Sequence, residues 1–277
     1  MTYTAHLYDG AFPNSASLNA AGDNLDLAPK RVLWERHEWR PVAFYTDTYL
    51  PLAAVTRHTR KVAWLLEPPP FREGNYAFVR DNADLYDYVL AYDARLIDGK
   101  KFLFYPYGGS RIAPASWGVR PKSKLCSIVV SDKRATEGHL LRHAAVEMIR
   151  AAGLPVDVLG SGYGPYVNKR DALADYYYTV AIEGERLNFC FDEKLIDPLV
   201  VGTVPLYWGC PHIEAHFNPD GMRPWHDLEQ LRGLLLDLTP EWWHSRLPAI
   251  YGNLERSRAY LCAEDWIANQ YPFLFEV

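Results

Sequence analysis

The stretch LCSIVVSDKRATEGHLLRHAAVEMIRAAGLPVDVLG, residues 125–160, decides the fold class. LCSIVVS (125–131) is a short apolar run rich in β-branched residues, the signature of a buried strand. From 139 the period changes. Leu140, Leu141, Ala144, Ala145, Met148 and Ile149 recur at the spacing of a helix face, and Gly153 stands where a C-terminal cap belongs. VDVLG then restarts a strand. Strand, helix and strand in this compass make a βαβ unit, which implies parallel strands covered by helices.

The same rhythm continues downstream. NKRDALADY predicts a short helix, YYTVAIE (177–183) a third strand, EKLIDPLVVG a helix and VPLYWG (204–209) a fourth strand. DLEQLRGLLLDL and TPEWWHSRLPAIYGNLERSRAYLC read as helices, with Asp227 and Thr239 as N-caps. Upstream, VAFYTDTYL (42–50), KVAWLLEPPP (61–70), YDYVLAYD (86–93) and KFLFYPYGG (101–109) are short apolar runs closed by Pro, Gly or Asp, and so predict strands. Helices are expected at DNADLYDY and around RLIDGK. The aperiodic stretch GGSRIAPASWGVRPKSK (108–124) marks the domain boundary. The expectation is an N-terminal α/β domain over 1–118, a second over 119–260, and an aromatic tail, 261–277, packing back on the first. Ligands in open parallel sheets sit at the carboxyl ends of strands. The loops 131–138, 160–164, 183–185 and 209–212 are therefore expected to line one rim, at a cleft between the domains.

Of 277 residues, 49% are hydrophobic and 23% charged, the composition of a folded globule. A formal charge of −5 argues against nucleic acid as a partner. The four cysteines, Cys126, Cys190, Cys210 and Cys262, lack zinc spacing and read as buried thiols in a reducing compartment. The start, MTYTAHLYDG, has no basic region or apolar segment of a leader, and no apolar run approaches the ~20 residues of a membrane helix. A soluble, cytoplasmic protein is expected.

Several residues could carry chemistry. SDKRATEGHLLRH is a basic strand-to-helix junction, and Arg142 could grip a diphosphate there, or the segment could be a solvated basic loop. GSGYGPY (160–166) is glycine-rich but matches neither the dinucleotide fingerprint nor the P-loop, and reads as a flexible loop beside the cleft. His139 and His143 lie four apart without a third ligand, so no metal site is expected. Glu67, in WLLEPPPF, closes an apolar strand before three prolines; partial burial would raise its pKa toward that of a general base, and a loop-capping role is the alternative.

Together these segments resemble the α-1,3/4-fucosyltransferases, glycosyltransferase family 10, and especially its soluble members. AIEGERLNFCFDEKLIDPLVVGTVPLYWGCPHIEAHFNPDG (181–221) is similar to the family's donor-binding stretch, a Glu-Asn-Ser segment followed by Asp-Tyr-x-Thr-Glu-Lys, an apolar helix and Gly-x-(Val/Ile)-Pro. SIVVSDKRATEGHLLRH is similar to the strand and Arg-bearing helix before it, and WLLEPPP to the Glu-Ser-Pro segment of the acceptor domain. The resemblance implies the GT-B architecture, two Rossmann-like domains facing a central cleft, and an inverting, metal-independent enzyme without cofactor. It implies a GDP-sugar donor, most simply GDP-fucose, and a carbohydrate hydroxyl as acceptor. Glu67 falls on the general base, Arg142 and Lys194 on the diphosphate ligands, Glu193 on a ribose contact and Glu183 on the glutamate of Glu-Asn-Ser. Ser131, after the first strand of the second domain, joins the donor-binding set. The family's Asn, Tyr and Thr are Gly184, Cys190 and Asp192 here, and the Ser after the base is Pro68. Those departures leave open another donor sugar, a non-carbohydrate acceptor such as a modified nucleobase, or a nucleotide-sugar-binding module without turnover.

Overall fold

Apolar runs too short for helices become strands wherever a neighbouring strand can satisfy their backbone groups. A computed structural model describes residues 1–91, 93–165, 167–188 and 190–277. Tyr92 in the expected strand 86–93, Tyr166 in the glycine-rich segment and Phe189 in the 181–221 stretch lie outside the described residues. The chain divides into two units: Met1–Ala20, Leu25–Gly109 and Cys262–Val277 form unit 1, and Ala21–Asn24 with Ser110–Leu261 form unit 2.

Unit 1 contains strands β1 (Tyr3–Tyr8), β2 (Val32–Glu35), β3 (Val42–Thr46) and β4 (Arg60–Trp64), helix α1 (Pro69–Asp81), then β5 (Tyr88–Ala91) and β6 (Phe102–Phe104). All pair in parallel, in the order β2-β1-β3-β4-β5-β6. Every residue of β3 is buried, as are the last three of β4, the near-continuous apolar pattern of a sheet covered on both faces. Ala43, Tyr45, Ala63, Val89, Tyr76 and Val79 build one side of that core.

Three expectations for this unit fail. The run read as a strand to residue 70 ends at Trp64, and α1 starts inside it. Pro69 and Pro70 occupy the first helical turn, where a missing N–H costs nothing and φ is already suitable. DNADLYDY holds one short 3-10 turn, Ala83–Leu85, and then β5, while the 95–100 segment holds no helix. β1 and β2 were not foreseen at all.

Unit 2 follows the expected alternation: β7 (Lys124–Val129), α2 (Glu137–Ala151), β8 (Val156–Leu159), α3 (Lys169–Leu173), β9 (Tyr176–Ile182), α4 (Glu193–Val200) and β10 (Val204–Trp208). A two-residue strand β11 (Arg223–Pro224) and helices α5 (Leu228–Leu236), α6 (Pro240–Ser245) and α7 (Leu247–Ser257) complete it. The five strands are parallel in the order β11-β10-β9-β7-β8. Thr136, Asp227 and Thr239 cap α2, α5 and α6 through their side chains, and Gly153, at φ 60°, ends α2 in the left-handed conformation. One sheet face packs Ile128, Val146, Ile149 and Trp225; the other packs Leu195, Leu199, Tyr207 and Phe217. Each fully buried aliphatic side chain stabilises by roughly 1.5–3 kcal/mol.

The last helix, α8 (Ala263–Gln270), belongs to unit 1. Asp265 accepts the N–H groups of Lys30 and Arg31, buried Glu264 accepts from Ser17 Oγ at 2.9 Å, and Phe275 stacks on Tyr3. Cys126, Cys210 and Cys262 are buried, whereas Cys190 is only half-buried. Among the described residues no helix is long and apolar enough to cross a membrane.

Candidate functional site

In unit 2, β8 lies on one side of β7 and β9 on the other, so the crossover from β8 to β9 reverses direction. A crevice opens at such a switch point, at the carboxyl ends of β7 and β9. Glu183 is the first residue past β9, and its N–H continues the pairing onto Trp208 O at 2.9 Å. Its carboxylate is buried against the β10 end: Tyr207 Oη donates to Glu183 Oε1 at 3.4 Å, and Asp192 N–H at 3.3 Å. Gly209 makes room for it, since a Cβ there would lie 2.4 Å from Glu183 Cγ and 2.5 Å from Tyr207 Oη. On the other side Gly138 carries the α2 start against the same loop; its Cβ would lie 1.8 Å from Glu183 O, and its N–H donates to Gly184 O at 3.0 Å.

The charges gather at the α4 start. Asp192 caps the helix by accepting Lys194 N–H at 2.9 Å, and its other oxygen accepts from Lys194 Nζ at 2.5 Å. Lys194 Nζ is also 3.5 Å from Glu193 Oε1 and 3.8 Å from Glu183 Oε2. Arg111 Nε reaches Glu193 Oε1 at 3.4 Å. Arg142, buried on α2, donates through Nε at 3.1 Å and Nη2 at 2.8 Å to Ile182 O, the last carbonyl of β9.

Burial sets the protonation pattern. It pushes the Glu183 carboxyl well up, and the nearby Asp192 charge pushes it further. For Asp192, burial would raise the value, but the Lys194 ammonium outweighs it and holds the carboxyl below its usual range. Burial alone would lower Lys194; Asp192, Glu193 and Glu183 reverse that and keep it charged. Burial lowers Arg142 against the opposing pull of the same carboxylates, yet a guanidinium stays cationic at neutral pH. Burial thus weakens the acidic side of a cluster that brings Arg142, Lys194 and Arg111 beside Asp192, Glu193 and Glu183.

Arg142, Glu183, Glu193 and Lys194 thus come together. Ser131 lies just past β7, half-buried, with its carbonyl under Gly162, whose Cβ would be 2.6 Å away. The glycine-rich segment is packed there rather than standing off: Gly162 N–H donates to Val130 O at 3.0 Å, and Gly160 adopts φ 98° against the same carbonyl. The α2 N-terminus is less open to anions than its sequence suggested, because Gly138 N–H is taken by Gly184 O and His139 N–H by Thr136 Oγ1. His143 bonds Tyr163 Oη at 2.9 Å and Lys133 O at 3.2 Å, and burial, then Arg142, lowers His139 to about 4. Glu67 belongs to unit 1, three residues past β4. It is exposed, which corrects the expected partial burial; apolar Leu65 and Leu66 turn inward and leave the carboxylate at the surface, and its carbonyl accepts from Tyr76 Oη at 2.9 Å. Sequence reasoning missed Asp192 and Arg111 as members of the site. An acidic N-cap before Glu-Lys was a readable sign of the first, and nothing local pointed to the second.

No family model matches the sequence. Over 62 residues it is 32% identical to Alpha-(1,3)-fucosyltransferase FucT of Helicobacter pylori, a match covering 22% of this chain and only 13% of that relative's length. The whole chain superposes on a crystal structure of alpha1,3-fucosyltransferase with a TM-score of 0.63 and 16% identity, covering 90% of it. The GDP-fucose complex of alpha1,3-fucosyltransferase gives 0.62 and 15% identity, again over 100% of this chain and 91% of that one. A crystal structure of TarM gives 0.55 and 13% identity over 85% of this chain and 54% of that one. The fold is therefore the α/β, GT-B-type pair of parallel-sheet units shared by these proteins.

Proposed function

We propose that the chain is an inverting glycosyltransferase that moves a sugar, L-fucose from GDP-fucose, to a hydroxyl of a carbohydrate acceptor. One observation carries this reading: Arg142, Lys194 and Glu193 converge at the switch point of unit 2, in a fold matched over its whole length by a transferase solved with GDP-fucose. In this reading the departing diphosphate gathers negative charge, and Arg142 and Lys194 stabilise it from fixed positions in place of a metal ion. Glu193 serves the ribose, and Glu183 and Ser131 shape the donor site. Glu67, three residues past β4 in unit 1, takes the proton of the acceptor hydroxyl. The oxygen attacks the anomeric carbon opposite the leaving diphosphate, which inverts that centre. The reading includes no cofactor and a soluble protein acting in the cytoplasm.

A second reading keeps the fold but changes the donor sugar, and Asp192 favours it. A carboxylate 2.5 Å from Lys194 Nζ adds an acceptor at the donor site and competes with phosphate for the ammonium. Calorimetry with GDP-, UDP-, CMP- and dTDP-sugars separates the two. Lys194→Ala and Arg142→Ala are expected to weaken binding of the preferred nucleotide at least tenfold, about 1.4 kcal/mol each. Glu67→Gln is expected to leave that binding intact and abolish transfer. Binding of no guanine nucleotide removes fucose from the reading, and full transfer by Glu67→Gln removes Glu67 as the base.

A further inference from the structure

Unit 1 has a switch point of its own. β2 lies on one side of β1 and β3 on the other, so the carboxyl ends of β1 and β3 flank the reversal. The two loops leaving those ends are tied together by Asp9. This buried carboxylate accepts the N–H of Ala11 at 2.8 Å and of Phe12 at 3.0 Å, and Thr46 Oγ1 donates to it at 3.0 Å. The next residue, Asp47, opens a 3-10 helix, Asp47–Ala54.

Yet Asp47 is the one non-glycine residue among those described with a positive φ, 45°. Left-handed backbone costs an L-residue on the order of 1 kcal/mol, and such strain gathers where a side chain must be aimed. The half-buried carboxylate is oriented by α1: Asn75 Nδ2 donates to Asp47 Oδ1 at 3.1 Å. The next residue of α1, Tyr76, bonds the Glu67 carbonyl, so one turn of α1 braces the ends of both β3 and β4. Arg72 breaks helical geometry inside α1, at φ −141° and ψ 42°, and its charge acts on Asp47. Burial pushes the Asp47 carboxyl up, which suits a group meant to hydrogen-bond rather than to hold a cation. An aromatic ring near the same strand ends is partly exposed, Tyr49 at 38%. Tyr49 lies over bare backbone: a Cβ on Gly10 would be 3.3 Å from its Cε2.

Carboxylate, amide and guanidinium together offer hydrogen bonds of both senses without a dominant charge, and an exposed ring offers a flat apolar face. A neutral polyhydroxylated ring satisfies all of these, and a strongly charged ligand does not. We propose that Asp47 is an acceptor-contacting residue, its carboxylate taking a hydrogen bond from a hydroxyl of a neutral saccharide held beside Asn75 and the Tyr49 ring. Naming that saccharide the acceptor rests on the glycosyl-transfer reading; the binding itself does not.

The test is saturation-transfer NMR on the full chain with the methyl β-glycosides of galactose, glucose, mannose and N-acetylglucosamine, in wild type, Asp47→Asn and Asp47→Gly. Asn and Gly both tolerate positive φ, so each removes the charge without new strain. The expected result is saccharide binding by wild type, at least tenfold weaker in both variants, with thermal midpoints equal to or above wild type and nucleotide binding unchanged. No saccharide binding by wild type, or equal binding by all three, overturns the proposal. Loss of nucleotide binding by wild type with saccharide still held by Asp47 overturns the transfer reading instead and leaves the subsite standing.

Discussion

Asp197→Asn should abolish the pH dependence of stability that this residue imposes. Asp197 sits one turn beyond Glu193 on α4 and is fully buried. Oδ1 accepts from Ser110 Oγ at 2.9 Å and Arg111 N–H at 2.8 Å, while Oδ2 has no hydrogen-bond partner among the described residues. Burial pushes the carboxyl up to about 7, against the lowering pull of Lys169. An unfolded chain returns it to the ordinary carboxylate range, so between about pH 4 and pH 7 the folded state holds the proton more tightly. Stability from this group is therefore full at about pH 4 and is lost as pH rises to about 7. About three pH units at ~1.36 kcal/mol each give an upper bound of roughly 4 kcal/mol. The amide of Asn keeps the Oδ1 acceptor and carries no charge, but sets an unpaired NH2 where Oδ2 was, at a cost of about 1–2 kcal/mol. The variant should be about as stable as wild type near pH 5, where the two effects offset, and more stable, by about 2 kcal/mol, at pH 8. Lys122, which burial lowers to about 7, titrates in the same region but is common to both proteins and cancels in the difference. Urea unfolding from pH 5 to 8.5 measures this, and parallel stability curves for the two proteins would refute the reasoning.

Gly138→Ala forces a methyl to within 1.8 Å of Glu183 O, so α2 or the loop after β9 must move; a loss of about 1–3 kcal/mol in stability is expected, with weaker nucleotide binding. Unchanged unfolding midpoints and affinity would show that the contact relaxes freely. Asp192→Asn removes the carboxylate that holds Lys194, so the ammonium turns to phosphate and nucleotide-diphosphate affinity should rise several-fold by calorimetry. A fall in affinity would mean that Asp192 aims Lys194 rather than competing for it.

The second unit was legible because its signals are local. α2 announces itself by an apolar face, a Thr136 cap and Gly153, and the runs from β9 to β10 are long enough to show their period. β2 was not legible: it is a four-residue edge strand whose Leu33 is 61% exposed. β11 has only two residues, too few for any period. α1 was masked by its own prolines, which end a strand and begin a helix with equal ease. In the site, Glu183, Glu193 and Lys194 could be grouped from the chain because they lie within one strand-to-helix connection. The Arg142 grip on Ile182 O, the Arg111 contact with Glu193 and the φ of Asp47 could not.

The sequence by itself determined the α/β class, the alternation of the second unit and the acidic-basic pair that opens α4, since periodicity and caps are properties of neighbouring residues. The tertiary structure decided strand order, and with it both switch points, because order depends on which strands meet after the crossovers. It also decided that Asp192 holds Lys194, that burial pushes the Glu183 carboxyl up and that Glu67 lies at the surface. Burial and partnership come from segments distant along the chain, and those are what set a charge's strength.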